Sequence, residues 1–157
     1  MVKRISPYLF LFLNPGKRKR ADRHKFNNMN PQMLSLKILP DRIAVCRFAP
    51  TAKLPEGLDK SGFYSITRTE EELTVVCTEA SVPSGTLSEG GWRCFKIQGP
   101  LDFSETGIIF SLSKPLAESG IPVFVVSTFD TDYFMVKEKD LVKAIEALTA
   151  AGHQLKE

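Results

Sequence analysis

The chain has 157 residues, a length for one ordinary domain or two very small ones packed together. Its composition is that of a globular protein with enough Val, Ile, Leu and Phe for a core. The formal charge of +3 hides an asymmetry: residues 1–33 hold eight Lys and Arg against Asp22 alone, so the remaining body is mildly acidic and gives no reason to expect nucleic-acid binding.

In chain order, the basic segment comes first. "YLFLFL" (8–13) follows Lys3 and Arg4 in the manner of a signal peptide, but six residues are shorter than an h-region and no small-residue cleavage site follows. The run is also too short to span a bilayer, so no membrane role is expected. "GKRKR" has the composition of a nuclear signal or a nucleic-acid arm. The expectation for residues 1–33 is a dispensable disordered extension, or a start placed too early with Met33 as the true beginning, because patterned sequence begins at Leu34.

The body repeats itself. "FYSITRTEEELTVVC" (63–77) and "VFVVSTFDTDYFMVK" (123–137) both read as β-hairpins, and at an offset of 60 Thr67 matches Ser127, Glu70 matches Asp130, Glu72 matches Asp132 and Val76 matches Val136. Upstream, "RFAP" (47–50) resembles "IQGP" (97–100). Between strand and hairpin the first copy has only Thr51–Ser61, whose "PTAKLPEG" supports one turn of helix at most. "ASVPSGTLSEGG" (80–91) likewise holds too much Gly and Pro for a long helix.

The second copy is complete. "WRCFKIQG" (92–99) alternates as a strand, and "GPLDFSETG" (99–107) is a loop leading to a helix start with Ser104 as the N-cap. Ile108, Ile109, Leu112 and Leu116 share one helical face; Pro115 should kink or shorten that helix, and Gly120 ends it. "PVFVVST" (122–128) and "DYFMVK" (132–137) form the hairpin. Leu141, Ala144, Ile145, Leu148 and Ala151 mark a second amphipathic helix closed by Gly152, and a short strand near His153–Leu155 follows. The order β-α-β-β-α-β is the ferredoxin-like unit.

Catalysis is poorly supplied. His24 and His153 are the only histidines, and Cys46, Cys77 and Cys94 are widely spaced with no CxxC, so neither a metal site, a His-based triad nor a cofactor is expected. Three buried reduced thiols in a cytoplasmic protein is the default. Cys94 alternates into a strand beside Trp92 and Phe95 with no nearby His, which argues against a nucleophile.

"WRCFKIQGPLDFSETGI", "STFDTDYFMVK" and "DLVKAIEALTAAGH" resemble the ACT-domain proteins of the CASTOR type, which are similar to the regulatory ACT modules of aspartate kinases. "LKILPDRIAVCRF" and "FYSITRTEEELTVVC" fit the N-terminal part of small bacterial ACT proteins. The resemblance implies an α+β chain of two tandem ACT (βαββαβ) modules with antiparallel sheets and helices on one face, a reduced module at 34–90 and a complete one at 91–157. It implies amino-acid sensing without catalysis, with a free amino acid held between modules. Carried over by position, the ligand-binding residues are Phe103, Ser104 and Gly107 in the helix-start loop and Thr128, Phe129 and Asp132 at the strand end. The chain departs from the long sensors in having two modules instead of four. A homodimer is expected, because the reduced module leaves sheet without helical cover.

The residues support such a site on their own terms. An amino acid's carboxylate suits the N–H groups and dipole of a helix start, and its ammonium suits a fixed carboxylate such as Asp132. Asp130 reads as a turn residue. The alternative is an interaction module that binds no small molecule.

Overall fold

The structure is a computed structural model and describes residues 33–156, which fall within one compact unit; the expectations for residues 1–32 lie outside it. The elements are β1 (Ser35–Phe48), β2 (Tyr64–Arg68), β3 (Leu73–Thr78), β4 (Leu87–Ile97), α1 (Ile108–Glu118), β5 (Phe124–Ser127), β6 (Asp132–Lys137), α2 (Leu141–Ala150) and β7 (Gln154–Lys156). Leu58–Lys60, Glu79–Ser81 and Glu138–Asp140 form single 3-10 turns. The first of these lies in the 51–61 segment, where one helical turn at most was expected, and follows "PTAKLPEG".

The strands form one seven-stranded sheet in the order β2-β3-β1-β4-β6-β5, with β7 beside the start of β1. Two separate antiparallel sheets were expected. Instead β1 runs through both halves, pairing antiparallel with β4 and β3 and parallel with β7. Its 14 residues allow this because Pro40, which has no N–H to give a ladder, falls in the register break between Ile38 and Arg42.

The order is symmetric about the β1–β4 pair, and the hairpins give the register of the repeat. Arg68↔Leu73 and Ser127↔Asp132 are the last pairs of their hairpins, each closing a four-residue turn, so 68 falls on 127 and 73 on 132, an offset of 59. The turns are built alike. Thr69 and Thr128 each donate a backbone N–H and a hydroxyl to the carbonyl three residues on, Glu72 and Thr131. The expected offset of 60 is therefore one residue out. Val76 matches Met135, and Leu73, not Glu72, occupies the place of Asp132. One residue matters because it turns every side chain to the opposite face.

Alternation sorts the core. Phe95, Ile97, Phe134 and Val136 face α1 and α2, packing with Ile108, Leu112, Leu116, Ala144 and Leu148. Leu34 and Leu36 join them, so the start of the chain's body completes this core. Across β1, Ala44, Cys46, Leu73, Val75 and Cys77 form a smaller cluster covered by Leu58 of the 3-10 turn in place of a helix. Ile43, Val76, Cys94 and Met135 lie on the opposite face.

Two helix details differ from expectation for identifiable reasons. α1 continues through Pro115 to Glu118. The lost Pro115 N–H releases the Ser111 carbonyl, and buried His153 restores a partner: its Nε2 lies 3.2 Å from that oxygen, while its Nδ1 accepts the Leu34 N–H at 3.3 Å. The helix also starts at Ile108, capped by Gly107 at φ +86°, and not by Ser104. Gly120 and Gly152 end the two helices with positive φ, as their sequence positions suggested.

Candidate functional site

The loop entering α1 and the β5–β6 turn meet at one end of the C-terminal half. Three contacts hold them. Leu101 donates its N–H to the Asp130 carbonyl at 2.9 Å, buried Thr131 donates its hydroxyl to the Ile97 carbonyl at 2.6 Å, and the Phe103 and Phe129 rings meet edge to face at 5.1 Å. Gly99 permits the approach, since a Cβ there would lie 2.8 Å from the Asp130 carbonyl oxygen. Glycine is required by space here, not by an unusual φ.

The six residues expected at the site divide by role. Phe103 and Phe129 touch each other, yet both are more than three-quarters exposed, at 78% and 79%. Thr128 spends its hydroxyl on the turn. Ser104 donates its hydroxyl and its N–H to Asp102 Oδ1 at 2.6 and 2.7 Å, which holds the Asp102 carboxyl below its usual range. It shapes the loop and does not cap α1. Gly107 caps the helix without a side chain of its own, and the amides of the first turn have no acceptor within the helix.

Asp132 opens β6, two and four residues before Phe134 and Val136, and so stands on the helix side of the sheet. It is half-buried, and no hydrogen-bonding or ionic partner for its carboxylate occurs among the described residues. Asp130 is exposed and contributes its backbone carbonyl, consistent with the turn reading.

The two loops are one-signed. Residues 98–107 and 127–132 contain Asp102, Glu105, Asp130 and Asp132 and no Lys, Arg or His. Together they offer a helix start without a side-chain cap, the half-buried Asp132 carboxylate, unpartnered among the described residues, and two exposed aromatic rings. They contain no Cys or His. Cys94 lies fully buried, its thiol pushed up to about 12 by burial. Among the described residues no group of His, Cys, Asp and Glu gathers into a metal site, and no helix is long and apolar enough to cross a membrane. An open depression of about 560 Å³ between Pro55–Lys60 and Ala80–Pro83 shares no residue with these loops.

Sequence reasoning missed Gly99 and Thr131, which bring the loops together. The repeated spacing Thr69–Glu72 and Thr128–Thr131 could have found Thr131, since each Thr closes a turn on the residue three ahead.

A family model described as an ACT domain matches residues 87–150, and a second, described as the N-terminal domain of its family, matches residues 41–85. The Bos taurus protein named cytosolic arginine sensor for mTORC1 subunit 1 is 33% identical over 100 residues, covering 59% of this chain and 30% of that protein. The chain thus spans under a third of that relative. The Homo sapiens putative protein CASTOR3P is 30% identical over 117 residues, covering 65% of this chain and 72% of that one. Among solved structures, the Agobacterium tumefaciens protein Atu0741 superposes with a TM-score of 0.75 at 44% identity, covering 79% of this chain and 92% of that one. Aspartate kinase from Clostridium acetobutylicum shares the fold at a TM-score of 0.57 and 11% identity, over 79% of this chain and 36% of the kinase. The chain belongs to the ACT-domain family, among proteins of the CASTOR type.

Proposed function

We propose that this chain is a cytoplasmic regulatory protein without catalytic activity that senses a free amino acid at the corner formed by residues 99–107 and 127–132. The ligand's ammonium pairs with Asp132, and its carboxylate takes the amides that follow Gly107. Phe103 and Phe129 flank it, while Ser104 and Thr128 hold the two loops in shape. The observation that carries the reading is the half-buried Asp132 carboxylate, which stands without a partner among the described residues on the side of the sheet that bears α1. A cationic amino acid suits loops with four carboxylates and no base, and a curated relative is named as an arginine sensor. We further propose that 34–90 and 91–157 act as a tandem pair of ACT modules and that the chain works as a homodimer, the partner covering the exposed rings.

The exposed Phe103–Phe129 pair favours a second reading, a docking module that binds no small molecule. Thermal unfolding in the presence of each of the twenty amino acids separates the two. A rise with arginine or a small group of amino acids is expected; none at millimolar concentration leaves the docking module.

A further inference from the structure

The N-terminal half has the same strand-end corner, but a side chain of its own closes it. With 68 on 127 and 73 on 132, Arg68 stands in the place of Ser127, and Leu73 in the place of Asp132. The Arg68 guanidinium reaches the loop leaving β1, donating through Nη1 to the Pro50 carbonyl and through Nη2 to the Ala52 carbonyl at 2.8 Å. Its planar fork therefore clamps two carbonyls of one loop.

The same register locates the corresponding atoms in the C-terminal half. Phe48, opposite Leu73, falls on Ile97, one step beyond the Lys96↔Tyr133 pair; counting on past the strand ends sets Pro50 against Gly99 and Ala52 against Leu101, one residue off the match of "RFAP" with "IQGP". Among the described residues no donor reaches the Gly99 or Leu101 carbonyl. Ser127 is too short to do so. Opposite it stands the unpartnered carboxylate of Asp132, whereas opposite Arg68 stands Leu73, fully buried in the small cluster. One corner sets a cation opposite an apolar side chain; the other sets a serine opposite a carboxylate.

We infer that the N-terminal corner is a self-occupied copy of the ligand site, in which the Arg68 guanidinium holds the place that a ligand's cationic group takes beside Ser127 and Asp132. This rests on reading the C-terminal corner as the ligand site. In the N-terminal corner a guanidinium fits better than an ammonium, because the Pro50 and Ala52 carbonyls call for a planar pair of donors and not a point charge. It follows that a wild-type chain takes one ligand and not two.

Two variants test it. Arg68→Ser removes the internal cation, so its melting temperature should fall, and added methylguanidinium should restore part of the loss while methylammonium restores none and wild type gains nothing from the first corner. The measurement is made in an Asp132→Asn background, which removes the C-terminal corner's contribution. No loss of melting temperature in Arg68→Ser, or no rescue by methylguanidinium, overturns the inference whatever the wild type binds. The converse variant, Ser127→Arg, should fill the C-terminal corner and abolish the arginine-dependent thermal shift; an undiminished shift overturns the equivalence of the corners. If wild type shows no shift with any amino acid but the rescue succeeds, the self-closed corner stands and the sensing role falls.

Discussion

The two halves of the sheet share a hairpin, a threonine-closed turn and a following 3-10 turn, yet they cover themselves differently. The C-terminal half lies under two helices and buries Phe95 stacked on Phe134 at 4.7 Å, with Leu34 and Leu36 borrowed from the start of the body. The N-terminal half lies under a loop, with Val75 and Cys46 in the equivalent places. Small side chains suit a thin cover, because a large ring there would have nothing to pack against. The helical half can therefore spare a strand-end position for an unpartnered carboxylate, while the loop-covered half places Leu73 at the same position to complete its core.

That contrast predicts unequal costs for matched truncations. Phe134→Ala removes a ring from the stacked core and should destabilise the protein by about 3–5 kcal/mol. Val75→Ala, its counterpart, removes two methyl groups and should cost about 1.5 kcal/mol. Chemical denaturation of both variants checks the pair; equal losses would mean that the halves are equally dependent on their covers.

Much of this contrast was legible in the sequence. The 3.6 periodicity of 108–116 and 141–151, and the shortage of any such pattern in 51–61, already separate a helical half from a loop-covered one. The repeat itself was legible too, but one residue out of register. The Glu and Asp positions of the two hairpins align at an offset of 60, whereas the turns superpose at 59 because Thr69 and Thr128 close them. Charge similarity is a weak guide to register; the alternation of buried faces, Val75 with Phe134 and Val76 with Met135, is a strong one. Ser104 misled for a related reason. As a serine near a helix start it reads as a cap, but Asp102 captures it two residues earlier. The shared role of β1 was not legible, since pairing with three partners leaves no mark on a single strand's pattern.

A second, smaller difference lies in how each half ties its cover down. In the helical half, His153 bridges the Leu34 N–H and the Ser111 carbonyl that Pro115 leaves free. In the loop-covered half, Ser61 bonds Thr78 at 3.1 Å and the Phe63 carbonyl at 2.7 Å. His153→Ala leaves two buried backbone groups without partners and should cost about 1–3 kcal/mol. Ser61→Ala removes the acceptor of the buried Thr78 N–H and the donor to the part-buried Phe63 carbonyl, and should cost about 1–2 kcal/mol. Melting temperatures that fall in the reverse order would show the loop to be the tighter cover.

The direct test of the sensing site is calorimetric titration of arginine into the wild-type protein and its Asp132→Ala variant. Binding should weaken roughly tenfold to a hundredfold on loss of the charge-assisted contact, with the melting temperature of the unliganded protein little changed. Unchanged affinity in the variant, or an Asp132→Ala protein that fails to fold, would contradict a carboxylate held ready for a ligand.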